Sequence, residues 1–407
     1  MKIFLKMRKI LIIFLIAIIT ICTPSVINAT DITISSTTPG GLKNAMETVE
    51  NGSAIYMKNG VYKGENNTKI NLSKSLHIEG LGSNVVIDGE GKNQIFIIPN
   101  KKISISIKSL KIINGYGENY DAGAIYSIGT LTITSCTFKN NGGYGAIISD
   151  NTLTVNKCIF KNNKAEYGGT ITSFGKLTVK SSTFTNNHGK SSGAIESIKG
   201  DGKTTISKCR FKNNKAVSSG AIFSNNPTTV KDCIFINNQA RYVGGAILHS
   251  SNYYTFSVSK SIFTNNKANL GGAIYSDGDT LTMNKCTFTN NQAKKHGGAI
   301  YSSYSLIIKS CFLAKNQANG CGGAIFHQRA DDNPYFSDIF TVSKSTFAKN
   351  IAGNKGGAIF NGDFEKLQAV NSKFSKNIAG NNYNEIFGKV FLKNVKITPQ
   401  NGVKVKK

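Results

Sequence analysis

From residue 116 to residue 380 the chain alternates apolar and polar positions in short runs such as "LTITSCTFKNN" and "LTMNKCTFTNN". Gly or Asn-Asn interrupts each run before a helical face can develop. Period two in Thr, Val, Ile and Phe predicts β-strands. The runs themselves recur. A Gly-Gly-Ala-Ile segment, or a variant with Ala, Tyr or Ser for the first glycine or Thr for the alanine, returns in ten units, with the second glycine position at Gly123, Gly145, Gly169, Gly193, Gly220, Gly245, Gly272, Gly298, Gly323 and Gly357. A strand centred on phenylalanine alternates with it, at Phe138, Phe160, Phe184, Phe211, Phe235, Phe263, Phe288, Phe347 and Phe374, with Leu313 substituting once. Three residues after that position an asparagine stands in all ten units, from Asn141 to Asn377.

A unit of 22 to 28 residues, once 34, with two or three short strands and no helix, fits one coil of an all-β solenoid, a parallel β-helix of the pectate-lyase-like kind. Each residue then stacks on its counterpart one coil away, at about 4.8 Å. The Ile and Phe columns are expected to point inward, with Ala between the turn and Ile where neighbouring backbones approach. The glycines mark a turn closed to a Cβ. Asparagine at its turn tolerates a left-handed conformation and can bond its own kind above and below. The ends depart from the pattern because a single coil cannot bury its own core. Residues 30–115 read as an N-terminal cap with irregular first coils, opened by "GGLKNAMETVENG", whose Leu42, Ala45, Met46 and Val49 fall at helical spacing. Residues 116–380 form the ten-coil repeat and 381–407 a C-terminal capping segment, for roughly thirteen coils and a rod on the order of 60 Å.

Gly-Gly-Ala-Ile alternating with Phe-x-x-Asn resembles the repeat of chlamydial polymorphic membrane proteins. The wider arrangement, from "NGVYKG" and "VVIDGEGKNQIF" through Phe-x-Asn-Asn-x-Ala, is similar to adhesin-like β-helix proteins of methanogenic archaea. The resemblance implies a right-handed coil, in line with the general hand of parallel crossovers. It also implies surface exposure and attachment to cells or matrix. The sequence shows neither an autotransporter-type β-barrel nor a wall-binding domain, so the expectation is a short adhesin held by charge or by a partner.

Charge supports an exported product. Residues 1–29 read as a signal peptide, with Lys2, Lys6, Arg8 and Lys9 ahead of an apolar run and Ala29 at the cleavage position. No later stretch is apolar enough to span a membrane. Removing the leader leaves 45 basic against 22 acidic residues, a net +23. The expected location is secreted or cell surface. The expected partners are a cell-wall or extracellular anionic polysaccharide, or the surface of a host or neighbouring cell. No nucleic-acid motif is present. The same charge also serves solubility by resisting edge pairing.

Three sets of side chains are candidates for the contact. Lysines recur before the cysteine position, at Lys157, Lys208, Lys260, Lys285 and Lys344, and would stack into a basic stripe. The residue after each column isoleucine becomes apolar or aromatic from Phe223 onward, with Tyr275, Tyr301, Phe326 and Phe360; Thr172 and Glu196 in the same column place it outward. It reads either as a sugar-stacking stripe or as a self-stacked ladder under loops. Asp331, Asp332 and Asp338 crowd one long loop and suit either Ca²⁺, the one cofactor considered, or plain solvation. His249 and His327 lie three coils apart, too far to share a metal.

Six cysteines fall in one inward column as three pairs on successive coils: Cys136 with Cys158, Cys209 with Cys233, and Cys286 with Cys311. Serine fills the remaining places. The coil spacing lies within the Cα range of a disulfide, yet parallel side chains hold the Cβ atoms too far apart without distortion. Both three staples and reduced, serine-like packing therefore stand. The sequence favours a binding rod, with a polysaccharide lyase or hydrolase on the same scaffold as the alternative. Against catalysis, Glu166, Glu196, Asp232 and Asp277 lie in different columns and coils, and such chemistry needs carboxylates gathered on one face.

Overall fold

A computed structural model describes residues 30–398, apart from 120, 199–201, 252, 330–338, 363–365 and 381–384. Three parallel sheets of 15, 14 and 13 strands run along the described residues, with successive coils adding a strand to each, and a fourth sheet of 8 short strands extends from His188 to Ala379. We call them the leucine, phenylalanine, isoleucine and short sheets after their dominant residues. The solenoid has about 14 turns, against the thirteen expected.

One coil shows how residue type sets local structure. Thr280–Asn284 is a strand of the leucine sheet, with Leu281 and Met283 inward. Lys285 turns the chain at φ 57°, Cys286 points in, and Thr287–Thr289 forms the phenylalanine-sheet strand. Asn290 turns it again at φ 55°, and Gln292–His296 crosses the short sheet. Gly297, at φ 68°, and Gly298 then turn the chain into Ile300–Ser302. Both halves of the glycine expectation hold. The first glycine needs the left-handed region, and a Cβ on the second would collide with the carbonyl of Gly323 in the next coil.

The inward columns are continuous. Every column isoleucine from Ile125 to Ile359 is fully buried. The rings from Phe138 to Phe288 stack at 4.6 to 4.9 Å between centroids with interplanar angles of 1 to 9°. Leu313 interrupts the stack, which resumes with Phe347 on Phe374 at 4.7 Å.

The recurring asparagine departs from expectation in its conformation. The left-handed residue is the one before it, at Asn140, Asn162, Asn186, Asn213, Asn237, Asn265 and Asn290, with Lys315, Lys349 and Lys376 in the last coils. The recurring asparagine is buried instead. Asn238 donates from Nδ2 to Phe211 O in the preceding coil and to Asn266 Oδ1 in the following one, both at 3.0 Å, and Asn266 Oδ1 also accepts the Asn238 backbone N–H at 3.0 Å. Each amide thus satisfies a turn that would otherwise bury bare backbone groups. Gly115 N–H opens the ladder on Asn141 Oδ1, and the Glu385 carboxyl closes it on Asn377 Nδ2.

The cap is helical as read. Gly41–Thr48 buries Leu42, Ala45 and Met46 over the end of the core. Lys74 Nζ meets its last carbonyls, at 2.6 Å from Val49 O and 3.2 Å from Met46 O, where a cation suits the helix end.

Replacing Asn238 by Leu strands the Asn214 N–H and Nδ2 donors and the Phe211 carbonyl, and is expected to cost on the order of 4 kcal/mol. Asn237→Lys next to it, which copies Lys315, is expected to stay within about 0.5 kcal/mol. Urea unfolding of both variants measures this; equal midpoints would show that the ladder does not carry stability.

Candidate binding surface

The five lysines of the sequence stripe do form a column. Lys157, Lys208, Lys260, Lys285 and Lys344 all adopt left-handed φ between 49 and 57° at the turn from the leucine to the phenylalanine sheet, and all are exposed. Left-handed backbone tilts the side chain out of the pleat, so a long polar residue is tolerated there. The structure also fills the gaps between them. In the coils without a lysine at the turn, the flanking strand residues are Lys180, Lys231, Lys309 and Lys393 on the leucine-sheet side and Lys373 on the phenylalanine-sheet side, again exposed and bordering the same turn. Ten successive coils therefore carry a cation on one convex edge. Asp232 is the one acidic residue among the left-handed positions of that run. Sequence reasoning missed the filling lysines because they sit one residue before or two after the repeat position. The basic stripe in strict register was visible; the edge it shares with its neighbours was not.

The aromatic column is corrected. Thr172 and Glu196, taken as evidence of an outward face, are buried, and Thr172 Oγ1 donates to Glu196 Oε2 at 3.3 Å. Burial pushes the Glu196 carboxyl above the usual carboxylate range. The column does lie outside the main core, yet its rings consume one another's faces. Tyr275 stacks on Tyr301 at 4.8 Å, Tyr301 on Phe326 at 4.9 Å, Phe326 on Phe360 at 4.8 Å and Phe360 on Phe387 at 5.1 Å. The His296 ring lies 4.7 Å from Phe326, which is 4% exposed, and Lys355 Nζ sits 4.6 Å over Phe387. Phe223 is cut off from the stack by Leu248 in register. The stripe offers ring edges rather than faces, and sugar stacking needs faces. Tyrosines that sequence reasoning passed over are more open: Tyr167 is 40% exposed, stacked on Tyr144 at 5.8 Å with Lys190 Nζ 5.3 Å above its ring.

His249 and His327 point inward. Their rings pack on Phe256 at 5.0 Å and Phe340 at 4.5 Å. Burial lowers both imidazoles to about 4. Each is therefore a neutral packing residue in a column otherwise made mostly of serine. Asp331, Asp332 and Asp338 lie outside the described residues. Among the described residues no group of three metal-ligating side chains comes together.

All seven described cysteines are free thiols, including the pairs Cys136 and Cys158, Cys209 and Cys233, and Cys286 and Cys311. Their role matches that of serine atom for atom. Cys209 Sγ donates to Ser207 O at 3.1 Å, as Ser182 Oγ does to Lys180 O at 2.8 Å. Cys209 N–H donates to Cys233 Sγ at 3.4 Å, as Cys158 N–H does to Ser182 Oγ at 3.0 Å. Burial raises the Cys136 thiol to about 12 and the Cys158 thiol to about 11, which holds both as unreactive thiols.

The family described as a right-handed β-helix region matches residues 192–374. The chain is a right-handed parallel β-helix. No curated protein matches it. Among solved structures, the A-module of a mannuronan C-5 epimerase from Azotobacter vinelandii is 12% identical over 88% of this chain and 93% of its own, with a TM-score of 0.38. A mannuronic acid specific family 6 polysaccharide lyase from human gut microbiota is 12% identical over 91% and 83%, with a TM-score of 0.40. A family 6 alginate lyase is 10% identical over 92% and 72%, with a TM-score of 0.32. Likeness at this level carries no argument about a ligand, which rests on this chain's own residues.

Two measurements test these assignments. In the chain lacking residues 1–29, denaturation without reductant is expected to expose seven reactive thiols; finding one would establish three disulfides. The histidine pKa values lie below the unfolded value near 6.5, so the unfolded state takes up protons first and stability falls as pH drops from about 6.5 to about 4. Each histidine contributes about 3 kcal/mol to that loss. The doubly substituted His249→Ser, His327→Ser chain should show a shallower decline in urea melts at the two ends of this interval, and an unchanged slope would rule the histidines out.

Proposed function

We propose that the protein is an exported, surface-associated, adhesin-like rod that holds anionic polymers along its lysine edge. The observation that carries this reading is the cation on ten successive coils of one edge, with a single acidic residue at its turn positions. Successive coils stand about 4.8 Å apart, so a cation on each crowds like charges, and the repulsion is relieved when a polymer with closely repeated negative charge lies along them. Cell-wall polymers and acidic extracellular polysaccharides have that character. A solenoid supplies the second requirement, since its stiffness keeps the charges in line and spares the ordering cost that a flexible basic tail incurs on binding. Binding of this kind releases counterions and carries no readout of sequence.

Retention on an acidic polysaccharide matrix is expected to weaken steeply between about 0.05 and about 0.2 M salt. Changing Lys157, Lys208, Lys260, Lys285 and Lys344 to Gln should lower low-salt affinity by roughly tenfold or more and flatten the salt dependence. Retention that ignores salt, or that survives the five substitutions unchanged, would remove the electrostatic reading.

A further inference from the structure

A second surface differs from the lysine edge in shape and chemistry. The short sheet lies in the angle between the left-handed asparagine turn and the glycine turn. Its exposed column reads His188, Lys215, Gln239, Lys267, Gln292 and Gln317 on successive coils. The alternate residues, Ala216, Ala240, Ala268 and Ala293, are small, so the strands form the floor of a hollow rather than a ridge. Two adjoining hollows of about 710 and 630 Å³ share Lys215, Gln239, Lys267 and Gln292, and together make one shallow trough along the rod axis. Asn213, Asn237 and Asn265 form one wall, and Arg241, Lys294 and Asn319 stand on the other side.

Three features limit what fits there. The lining contains cations and amides but no acidic residue, so the occupant is negative or polar. It contains no Phe, Tyr or Trp ring, and His188 stands alone at one end, so there is no row of aromatic faces on which single-stranded nucleic acid could stack successive bases. The backbone groups of the short sheet are spent on the parallel ladder between coils, so a polypeptide cannot add as a further strand across this face. What remains is a chain that bonds to side chains alone. Carboxamides each present a donor and an acceptor, and so match both hydroxyl and carboxylate groups. With Ala240, Ala268 and Ala293 turned inward and only 3 to 4% exposed, the floor is peptide backbone, over which the apolar face of a sugar ring can lie. A pyranose in an extended chain advances by close to one coil, so equivalent side chains meet equivalent sugars in register.

We propose that this trough binds a single extended strand of an acidic polysaccharide, about one uronate residue per coil at the ~4.8 Å coil spacing, through direct hydrogen bonds from the glutamine and lysine column. The inference shares with the lysine-edge reading the premise of an acidic polymer and places a distinct contact on a different face.

The test is titration calorimetry of the chain from residue 30 with defined uronate oligomers. An oligomer of about six sugars, matching the six coils of the column at ~4.8 Å each, should bind at one per chain. Affinity should rise with length up to that size. Gln239→Ala, Gln292→Ala and Gln317→Ala together should weaken it roughly tenfold. The five-lysine edge variant should bind the hexamer as the parent does, while holding the long polymer roughly tenfold or more weakly at low salt. Thermal melts of the triple variant, whose side chains are exposed, confirm that it folds. Absent hexamer binding, an unaffected triple variant, or equal affinity for a neutral glucose hexamer would each overturn the assignment. Loss of hexamer binding in the edge variant would move that ligand to the edge and overturn it as well.

Discussion

The structure depends on one constraint: each coil must present the same backbone height and the same inward side chain as its neighbours, so that buried polar groups meet their counterparts. The asparagine ladder is where this is most stringent. A buried carboxamide has two donors and an acceptor that takes two bonds, and here all are used between coils, Nδ2 on an oxygen above and a carbonyl below, Oδ1 on a backbone N–H and an Nδ2. Asp in the same place would lack the donors, and Leu would lack everything. The ladder ends on a carboxyl, and burial at that end pushes Glu385 up to about 7, so the terminus has its own pH dependence.

Inward columns are therefore fixed, and variation is confined to positions that leave the coil unchanged. Left-handed turn residues are one such class, because Asn, Ser, Lys and Asp all occur there with φ between 49 and 58° in the repeat region. Sites on such a rod are built by repetition. A lysine at one turn contributes little, since an isolated exposed charge in water is heavily screened. The same lysine repeated coil after coil makes a field that adds along a rigid line.

Much of the architecture was legible in the sequence because the inward columns repeat without error. Phe, Ile and Cys or Ser positions could be assigned to the core from alternation alone. What alternation cannot report is the angle between successive strands. Two neighbouring asparagines, Asn237 and Asn238, look equivalent in sequence, and only the turn decides that the first takes the left-handed conformation while the second is buried. Likewise Glu196 argued for an outward column, whereas the fold buries it and pairs it with Thr172. The lysine edge was half visible, since its register shifts by one or two residues from coil to coil. The trough was invisible, because its concavity comes from the angle at which the short sheet meets its two turns.

The same constraint bears on the chemistry of the cysteine column. A disulfide between Cys209 and Cys233 would remove the Sγ–H donors that meet Ser207 O and Lys231 O, and would compromise the acceptor of the Cys209 N–H. It would also draw together two side chains that the coil spacing holds parallel. The gain would be a restriction of an unfolded loop already short by the standards of such cross-links, at the cost of buried groups left unpaired. Serine at Ser182, Ser261, Ser345 and Ser372 makes the same bonds at 2.8 to 2.9 Å without any redox chemistry. Since a residue that cannot form a disulfide fills the column equally well, the column's function is the hydrogen bond, and sulfur occupies it as a slightly larger hydroxyl.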